Sequence, residues 1–401
     1  MSGWAEDLAG LSEWAPLLLP DDAERVARGY GHTLREILQQ PETWVATARQ
    51  IAGARTRLDE ALAAGGIRDG GSLAFTGSGS SLYAGECVAL PVQAALGVFV
   101  QALPAGLLLT HSAACLPPGR PFLLVSLARS GNSPESAAVL DLLLETRPEG
   151  RHLILTCNGG GRLATRYANH ARGLVQVLDE RTNDKSLVMT SSYTNLVVAA
   201  GALGRLYDPT GLEGRTEALA SVAREVVRRY SDALASCARS HFASAVYLGT
   251  GPALAAAREA ALKMLEMTEG RVGLLAESFL GLRHGPMSAV HGDTLVVAFL
   301  SPEAQSRAYE LDVLRELRRK GLGAAWVLVG ANPPSELVRV GDVDVSLPGL
   351  AALAEDEAAV VDVLVGQLLA FFRCRHLGGN PDAPSPAGVI RRVVEEFAIY
   401  K

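Results

Sequence analysis

The sequence predicts an α/β protein that contains two tandem copies of one doubly wound domain, each a mostly parallel sheet flanked by helices. Short apolar runs alternate with longer helical segments. Such near-continuous apolar runs are typical of strands that are buried on both faces of a parallel sheet. The runs also form two series at a nearly constant separation, which indicates an internal duplication.

The composition is that of a globular protein with a large core. Of the 401 residues, 48% are hydrophobic and 20% are charged, which excludes a disordered chain. The net charge of −6 removes the driving force for sequence-independent binding to nucleic acid. The apolar runs are too short to span a bilayer, and the N-terminal region is acidic where a signal peptide is basic. We therefore predict a cytoplasmic protein that binds neither nucleic acid nor membranes.

Cysteine and histidine spacing argues against a disulfide framework and against a metal centre. The five cysteines are scattered without a CxxC pair, and the eight histidines include no HExxH motif. These patterns favour buried thiols in a reducing compartment and predict no structural or catalytic metal.

About the first 70 residues are predicted to be helical. Asp21 and Asp22 can cap one helix, and another is predicted over 42–62. From Ser72 the chain changes to strands that precede small-residue turns, in LAFTG, FLLVS, HLILT and GLVQVL. A second series begins at Ala245 with AVYLGTG, DTLVVAFL, AAWVLVG and VDVSL.

Matching positions in the two series lie 172 residues apart, and the offset drifts to about 170 only at the last strand. The matched pairs are Gly77 with Gly249, Val125 with Val297, and Ile154 with Trp326. We predict a linker within 207–216 and a helix over about 215–240. The predicted divisions are a helical extension over 1–50, a first domain over 51–212, a second over 213–378 and a tail over 379–401.

The copies differ in two turns that follow strands. The first copy has hydroxyl-rich turns at 77–81 and 126–135, whereas Ala298, Pro302 and Gln305 stand opposite the serines of the second turn. Each turn joins a strand to a helix N-terminus, where backbone N–H groups and the helix dipole favour an anion. The alternative is that these serines only cap helices. We favour a phosphate site formed by Ser80, Ser81, Ser126, Arg129, Ser130, Asn132 and Ser133.

Nucleotide-binding patterns are missing from these turns. Leu82 replaces the third glycine of a GxGxxG fingerprint, and the sequence contains neither GxxxxGK[ST] nor GxSxG. A phosphate site without nucleotide machinery predicts a phosphosugar ligand.

Acid–base candidates lie in the second copy. Glu259, Lys263 and Glu266 share one helix stripe, and His284 precedes a predicted helix start at Pro286. By itself the stripe is typical of a solvated ion-pair face, and a lone histidine at a turn is usually structural. Together with a phosphosugar site, these groups are the set that aldose–ketose chemistry needs.

At these residues the chain resembles the sugar isomerase (SIS) domain proteins over nearly all of 50–400. More narrowly it is similar to the tagatose-6-phosphate ketose/aldose isomerase and galactosamine-6-phosphate deaminase group. Seven blocks in order carry this resemblance: HTLREILQQPETW, TGSGSSLYAGE, VSLARSGNSPES, MTSSYTN, ALKMLEMTEGRV, GLRHGP and NPDAPSPAGVIRRVV. It implies two tandem SIS domains, a homodimer or higher assembly, no cofactor, and an open-chain 6-phospho sugar as substrate.

Resemblance to the isomerase domain of glucosamine-6-phosphate synthase implies roles for single residues. Ser80, Ser81, Ser130 and Ser133 fall at phosphate-binding positions. Glu266 falls at the base that moves a proton between C1 and C2, with Lys263 and Glu259 in support. His284 falls at the ring-opening residue contributed across the dimer. The sugar-lining loop corresponds to Asp184, Lys185, Ser186 and Leu187.

Two features depart from the synthase. The chain has no glutaminase with a nucleophilic cysteine, which excludes glutamine-dependent synthesis. Its tail offers Arg391 and Arg392 where the synthase has a catalytic lysine, and arginine is a poor proton donor.

Three functions remain open from the sequence. The first is deamination and isomerisation of an amino-hexose 6-phosphate, namely galactosamine 6-phosphate to tagatose 6-phosphate and ammonia. The second is isomerisation of a neutral hexose 6-phosphate without ammonia release. The third is a non-catalytic sugar-phosphate sensor, although the N-terminal segment lacks a basic recognition helix.

Overall fold

A computed structural model describes Trp4, Leu8 and residues 10–208, 211–395 and 398–400. The α-helices in these ranges are α1 Ala15–Leu18, α2 Asp22–Ala27, α3 Gly31–Leu38, α4 Gln40–Gly53, α5 Arg55–Ala64, α6 Ser80–Leu96, α7 Ala105–Cys115, α8 Pro134–Thr146, α9 Arg162–Tyr167, α10 Ser191–Gly201, α11 Leu212–Arg239, α12 Pro252–Met267, α13 Phe279–Leu282, α14 Ala304–Arg319 and α15 Glu355–His376. The strands are β1 Ser72–Gly77, β2 Val100–Pro104, β3 Phe122–Ala128, β4 Gly150–Thr156, β5 Gly173–Val177, β6 Ser244–Gly249, β7 Gly273–Ser278, β8 Thr294–Phe299, β9 Ala325–Gly330 and β10 Val343–Ser346.

The strands form two five-stranded sheets with the same topology. The orders are β2-β1-β3-β4-β5 and β7-β6-β8-β9-β10, and every pairing is parallel. This confirms the predicted duplication of a doubly wound domain. The two predicted strand series each omitted one strand, β2 and β7. Each of these is an edge strand of its sheet.

Pairing across the sheets corrects one predicted match. Ser126 pairs with Ile154 in the first sheet, and Ala298 pairs with Leu328 in the second. Ile154 therefore corresponds to Leu328, and its predicted match to Trp326 is wrong by two residues. A shift of two residues along a strand keeps the same side chains on each face, so the apolar pattern could not reveal it.

The N-terminal region is helical, as predicted, but one predicted helix is divided. The Asp21 side chain accepts a hydrogen bond from the Glu24 backbone N–H at 2.9 Å, so it caps α2. The helix predicted over 42–62 is interrupted at Ala54, which separates α4 from α5. The predicted helix over 215–240 is α11, which begins at Leu212 inside the predicted linker. Pro209 and Thr210 of that linker lie outside the described residues.

The chain forms two compact units, and neither is continuous in sequence. The first-sheet unit contains the described residues of 43–184, 191–216 and 388–401. The second-sheet unit contains those of 1–42, 185–190 and 217–387. The predicted domain boundaries, which follow the chain continuously, stay a prediction.

Each unit has an apolar core formed by its sheet and the helices that cover it. In the first-sheet unit, Leu124, Leu108 and Leu143 are buried together. In the second-sheet unit, Val296, Leu314 and Trp326 belong to one buried cluster. No helix in the described ranges is both long enough and apolar enough to cross a membrane. All five cysteines are free thiols, four of them buried and Cys115 half-buried.

Helices α12 and α15 pack at close range inside the second-sheet unit. A Cβ atom built on Gly366 of α15 would lie 2.4 Å from the Cβ of Ala260 on α12. No side chain fits at that distance, so the glycine sets how closely the two helices approach. The spacing matters because α12 also carries Glu259, Lys263 and Glu266.

We expect Gly366→Ala to lower the melting temperature. Alanine favours a helix by about 1 kcal/mol over glycine, but forcing an extra carbon into a packed core typically costs about 1–3 kcal/mol. Gly53→Ala is the matched control, because a Cβ there meets nothing within 4 Å. Thermal unfolding of both variants checks this, and equal or raised stability of Gly366→Ala would contradict the close-packing argument.

Candidate active site

The turn after β1 has the geometry of an anion-binding loop. Gly79 precedes α6 with φ of 55°, in the left-handed region that favours glycine. A Cβ on Gly77 would lie 2.6 Å from the Cβ of Ser81. Gly251 repeats this conformation in the second copy with φ of 57°. Both copies therefore keep the same backbone turn, and they differ in side chains.

Buried hydroxyl groups collect at the carboxyl end of the first sheet. Ser80, Ser81, Ser126 and Ser130 are each more than nine-tenths buried. In the described part of the chain, the Ser126 hydroxyl has no hydrogen-bond partner. A buried hydroxyl without a protein partner is costly unless a ligand or water satisfies it. This favours a polar ligand at the turn.

The turn after β3 combines supporting and unsatisfied groups. The Ser130 hydroxyl accepts from the Asn132 N–H at 3.2 Å, and the Asn132 side chain accepts from the Arg162 N–H at 2.8 Å, at the start of α9. Asn132 thus shapes the turn with its side chain. Ser133 precedes α8 without a side-chain capping bond, so helix capping does not explain this serine.

The second copy places its own carboxylate at the equivalent turns. Glu310 of α14 is fully buried and accepts from the Ser301 N–H, just after β8, at 2.8 Å. The Thr250 side chain, just after β6, lies close to the same carboxyl group. The matching part of α8 reads SAAVL and carries no carboxylate. The first copy therefore carries hydroxyl side chains at these turns, whereas the second carries a buried carboxyl group.

The acid–base candidates of α12 form a buried ion triad. The Lys263 ammonium lies 3.3 Å from Glu259 Oε1 and 2.5 Å from Glu266 Oε2. Lys263 and Glu259 are fully buried, whereas the Glu266 side chain is 21% exposed. Burial by itself lowers the pKa of Lys263, but the two carboxylates outweigh it, and the net pKa is raised. The solvated ion-pair face that the stripe alone suggested is thus wrong.

The charged Lys263 orients the Glu266 carboxylate, which is partly exposed at the surface. Because Lys263 stays protonated, it is a hydrogen-bond donor and a positive charge rather than a base. Glu266 is the member of the triad that is partly exposed. This is the geometry that a general base requires, namely an oriented carboxylate with partial access.

His284 is an exposed residue outside the helix that carries the triad. Its side chain is exposed in the segment between α13 and a short 3₁₀ turn at Pro286–Ala289. In the described residues, no hydrogen bond or ion pair joins it to Glu259, Lys263 or Glu266. The helix start predicted at Pro286 is this single 3₁₀ turn. The ring-opening role of His284 stays a prediction.

The predicted sugar-lining residues occupy different environments. Asp184 is buried, and its carboxylate accepts from the Ser192 N–H at 2.8 Å and the Ser192 hydroxyl at 2.5 Å, at the start of α10. Ser186 is fully buried and donates to Glu36 and to the Val188 carbonyl. These hydrogen bonds give Asp184 and Ser186 a structural role. Their contact with a sugar stays a prediction.

Two acidic residues that sequence reasoning passed over hold the loop after Asp184 within the second-sheet unit. Glu36 accepts from the Lys185 N–H at 2.5 Å and the Ser186 N–H at 3.2 Å. The Asp382 carbonyl accepts from the Leu187 N–H at 3.0 Å.

The Asp382 carboxylate also caps α3 through the Thr33 N–H at 2.7 Å and the Thr33 hydroxyl at 2.8 Å. Asp382 thus connects the start of α3 with the loop after Asp184. The signal was present, because Glu36 and Asp382 lie in the HTLREILQQPETW and NPDAPSPAGVIRRVV blocks.

Comparison with known proteins agrees with the fold. No protein-family profile matches the chain. The AgaS protein of Streptomyces coelicolor is 35% identical, over 96% of this chain and 98% of its own. The D-galactosamine-6-phosphate deaminase AgaS of Escherichia coli is 33% identical, over 92% of this chain and 95% of its own. The solved tagatose-6-phosphate ketose/aldose isomerase of Escherichia coli superposes with a TM-score of 0.82 at 31% identity, covering 90% of this chain and 96% of that one.

The two parallel sheets of common strand order, with the hydroxyl-rich turns of the first, define a protein of tandem SIS domains. At this level of identity and coverage, the chain belongs to the AgaS family. The resemblance stated from the sequence motifs is confirmed.

Glu310 predicts a pH dependence of stability. Burial, the largest cause, raises its pKa from 4.5 to about 7, against the hydrogen bond from Ser301 and the nearby Thr250 side chain. The folded protein therefore binds this proton more tightly than the unfolded chain does. The stabilisation is full below about pH 4.5 and is lost as the pH rises through about 7.

Accordingly, the stability advantage of Glu310→Gln over the wild type should grow by up to about 3 kcal/mol between pH 5 and pH 8. The neighbouring acids Asp362 and Glu355, together with Arg307, remain in both proteins. Glu303→Gln, an exposed change at the start of α14, is the control. Urea unfolding across this pH range measures the effect, and parallel wild-type and Glu310→Gln curves would refute it.

Proposed function

We propose that the protein is a deaminase/isomerase of amino-hexose 6-phosphates that needs no cofactor. It converts galactosamine 6-phosphate to tagatose 6-phosphate and ammonia. Membership of the AgaS family supports this substrate, because the Escherichia coli member is named a D-galactosamine-6-phosphate deaminase. The observation that carries the proposal is the buried Lys263 between Glu259 and Glu266, which orients one accessible carboxylate.

In this proposal, the hydroxyl-rich turns of the first-sheet unit bind the 6-phosphate. The buried hydroxyl of Ser126 and the N-termini of α6 and α8 supply donors to the phosphate oxygens. Ser80, Ser81, Ser130 and Ser133 complete the set of hydroxyls at these two turns. Phosphate binding holds the open-chain sugar while the reaction occurs at its other end.

Glu266 carries the proton in the proposed reaction. Its carboxylate removes the proton from C2 of the open-chain amino aldose, and the electrons form an enolamine between C1 and C2. Returning the proton to C1 leaves an imine at C2. Water adds to the imine carbon, the carbon–nitrogen bond breaks, and ammonia and the ketose phosphate are released. Lys263, which contacts Glu266, holds that carboxylate in place for both proton transfers.

His284 opens the sugar ring in the proposed mechanism, and a partner subunit supplies it. Its exposed position suits a group that acts on a site of another protomer. The proposal therefore includes a homodimer or larger homo-oligomer. It also includes a cytoplasmic location, which suits five unpaired thiols.

The second candidate is isomerisation of a neutral ketose phosphate. The structural relative from Escherichia coli is named a tagatose-6-phosphate ketose/aldose isomerase, and this reaction uses the same proton transfer. Ammonia release separates the two candidates. A sugar-phosphate sensor would need neither Glu266 nor turnover.

The purified protein should release ammonia from galactosamine 6-phosphate, and Glu266→Gln should slow this release about 10²–10⁴-fold because the base is lost. Thermal stabilisation by the sugar phosphate should persist in the variant, since the phosphate turns are unchanged. Coupled ammonia assays on galactosamine 6-phosphate, glucosamine 6-phosphate and tagatose 6-phosphate identify the substrate.

Glu269→Gln is the matched control for the base, because Glu269 is an exposed acid three residues further along. Ammonia-free interconversion of tagatose 6-phosphate would favour the isomerase instead. Binding without any turnover would favour the sensor. Full activity of Glu266→Gln would remove it as the base.

Shared sites predict complementation. Glu266→Gln and His284→Ala homodimers should each be inactive, and mixing them through reversible dissociation should restore about a quarter of wild-type activity, because half of the dimers carry one intact site. Mass spectrometry under native conditions confirms the heterodimers. If heterodimers form and no activity returns, His284 does not act across the interface.

A further inference from the structure

The tail residue Arg392 is attached by its side chain to a buried loop of the first-sheet unit. Its Nε donates to the Asp184 carbonyl at 2.8 Å, and its Nη2 donates to the Asn183 side-chain oxygen at 2.6 Å. Two nitrogens of one guanidinium group bind two acceptors on consecutive residues. The planar guanidinium presents these two donors in a fixed forked geometry, which a lysine ammonium does not reproduce.

The backbone of the same residue contacts the predicted phosphate turn. Arg129, which directly follows β3, donates from Nη2 to the Arg392 carbonyl at 2.7 Å. Arg129 is only 8% exposed. One tail residue therefore connects the turn after β3 with the loop at 183–184, and all of these groups lie in the first-sheet unit.

Both connected segments are themselves held by further hydrogen bonds. The Asn158 side chain donates to the Ser130 carbonyl at 2.8 Å. The Asp184 carboxylate is bonded to Ser192 of α10. The Arg129 side chain thus connects this turn with the tail, and its bond to the Arg392 carbonyl contributes to its direction.

We propose that Arg392 is a positioning residue for phosphate binding: it anchors the tail so that its carbonyl directs the Arg129 guanidinium at the turn after β3. This inference rests on the proposed phosphate role of that turn. The tail then contributes to substrate affinity rather than to proton transfer. An arginine suits this task because it remains charged and makes two directed bonds.

The neighbouring residue offers a matched control. Arg391 pairs with Glu395 at 2.8 Å, and both side chains are more than half exposed. Arg391→Ala removes the same charge and the same number of atoms from the tail. It leaves the bonds to Asn183, Asp184 and Arg129 in place.

The experiment measures the Kd of inorganic phosphate by calorimetry, and KM and kcat for galactosamine 6-phosphate, in the full-length protein. Arg392→Ala should raise Kd and KM about 10-fold with kcat changed less than about 3-fold, as for the loss of a charge-assisted bond. Arg392→Lys should recover only part of the affinity. Arg391→Ala should match the wild type.

A merely structural tail would behave differently. It would lower the melting temperature of Arg392→Ala and leave the Kd of phosphate, measured well below that temperature, unchanged. That result, or equal Kd values for Arg392→Ala and Arg391→Ala, would overturn the proposal. Asn183→Ala gives a second measurement, since its effect on Kd should not add to that of Arg392→Ala.

Failure of this inference is distinguishable from failure of the proposed function. Weakened phosphate binding in Arg392→Ala, together with a wild-type protein that turns over no hexosamine phosphate, would retain the positioning role and reject the deaminase. Normal deamination by the wild type, together with unchanged phosphate affinity in Arg392→Ala, would retain the deaminase and reject the positioning role. A wild-type protein that neither binds phosphate nor turns over substrate would overturn both.

Discussion

The parallel sheets of this protein each end in turns that open helices, and the N–H groups of those helix ends need acceptors. The turns of the two sheets meet this requirement in different ways. In the first sheet the turns carry glycines and buried hydroxyl groups, of which the Ser126 hydroxyl has no partner in the described residues. In the second sheet Glu310 supplies the acceptor from within the protein. The two copies have similar backbone turns, and the buried Glu310 is present at the turns of the second copy alone.

Burial of charge governs the other half of the chemistry. An ammonium group inside a protein is stable only when opposite charges and hydrogen bonds compensate for the lost water. Lys263 has two carboxylates within 3.3 Å, and the close contact of Gly366 with Ala260 keeps α12 in its place. The contacts that stabilise the buried ammonium of Lys263 also orient the Glu266 carboxylate.

Segments far apart in sequence hold the chain at 183–187. Within the second-sheet unit, Glu36 and Asp382 bind the backbone of 185–187. Within the first-sheet unit, Arg392 binds the backbone and side chain at 183–184. The backbone of a loop has few hydrogen-bond partners within the loop itself. Acceptors and donors from distant segments therefore fix its conformation. This accounts for sequence blocks near both ends of the chain that carry no reactive group.

The sequence by itself determined the fold class, the duplication, the hydroxyl-rich turns and the stripe of Glu259, Lys263 and Glu266, because periodicity and residue type are local properties. It could not determine that this stripe is buried, since an exposed and a buried helix face can share the same spacing. Nor could the sequence show that Leu328, rather than Trp326, is the position in the second copy that corresponds to Ile154. A shift of two residues preserves the alternation of side chains along a strand. Only the tertiary structure decided that Glu310 occupies the second copy's turns and that Arg392 meets Arg129. Those contacts join residues distant in sequence, and no local pattern encodes which distant group arrives.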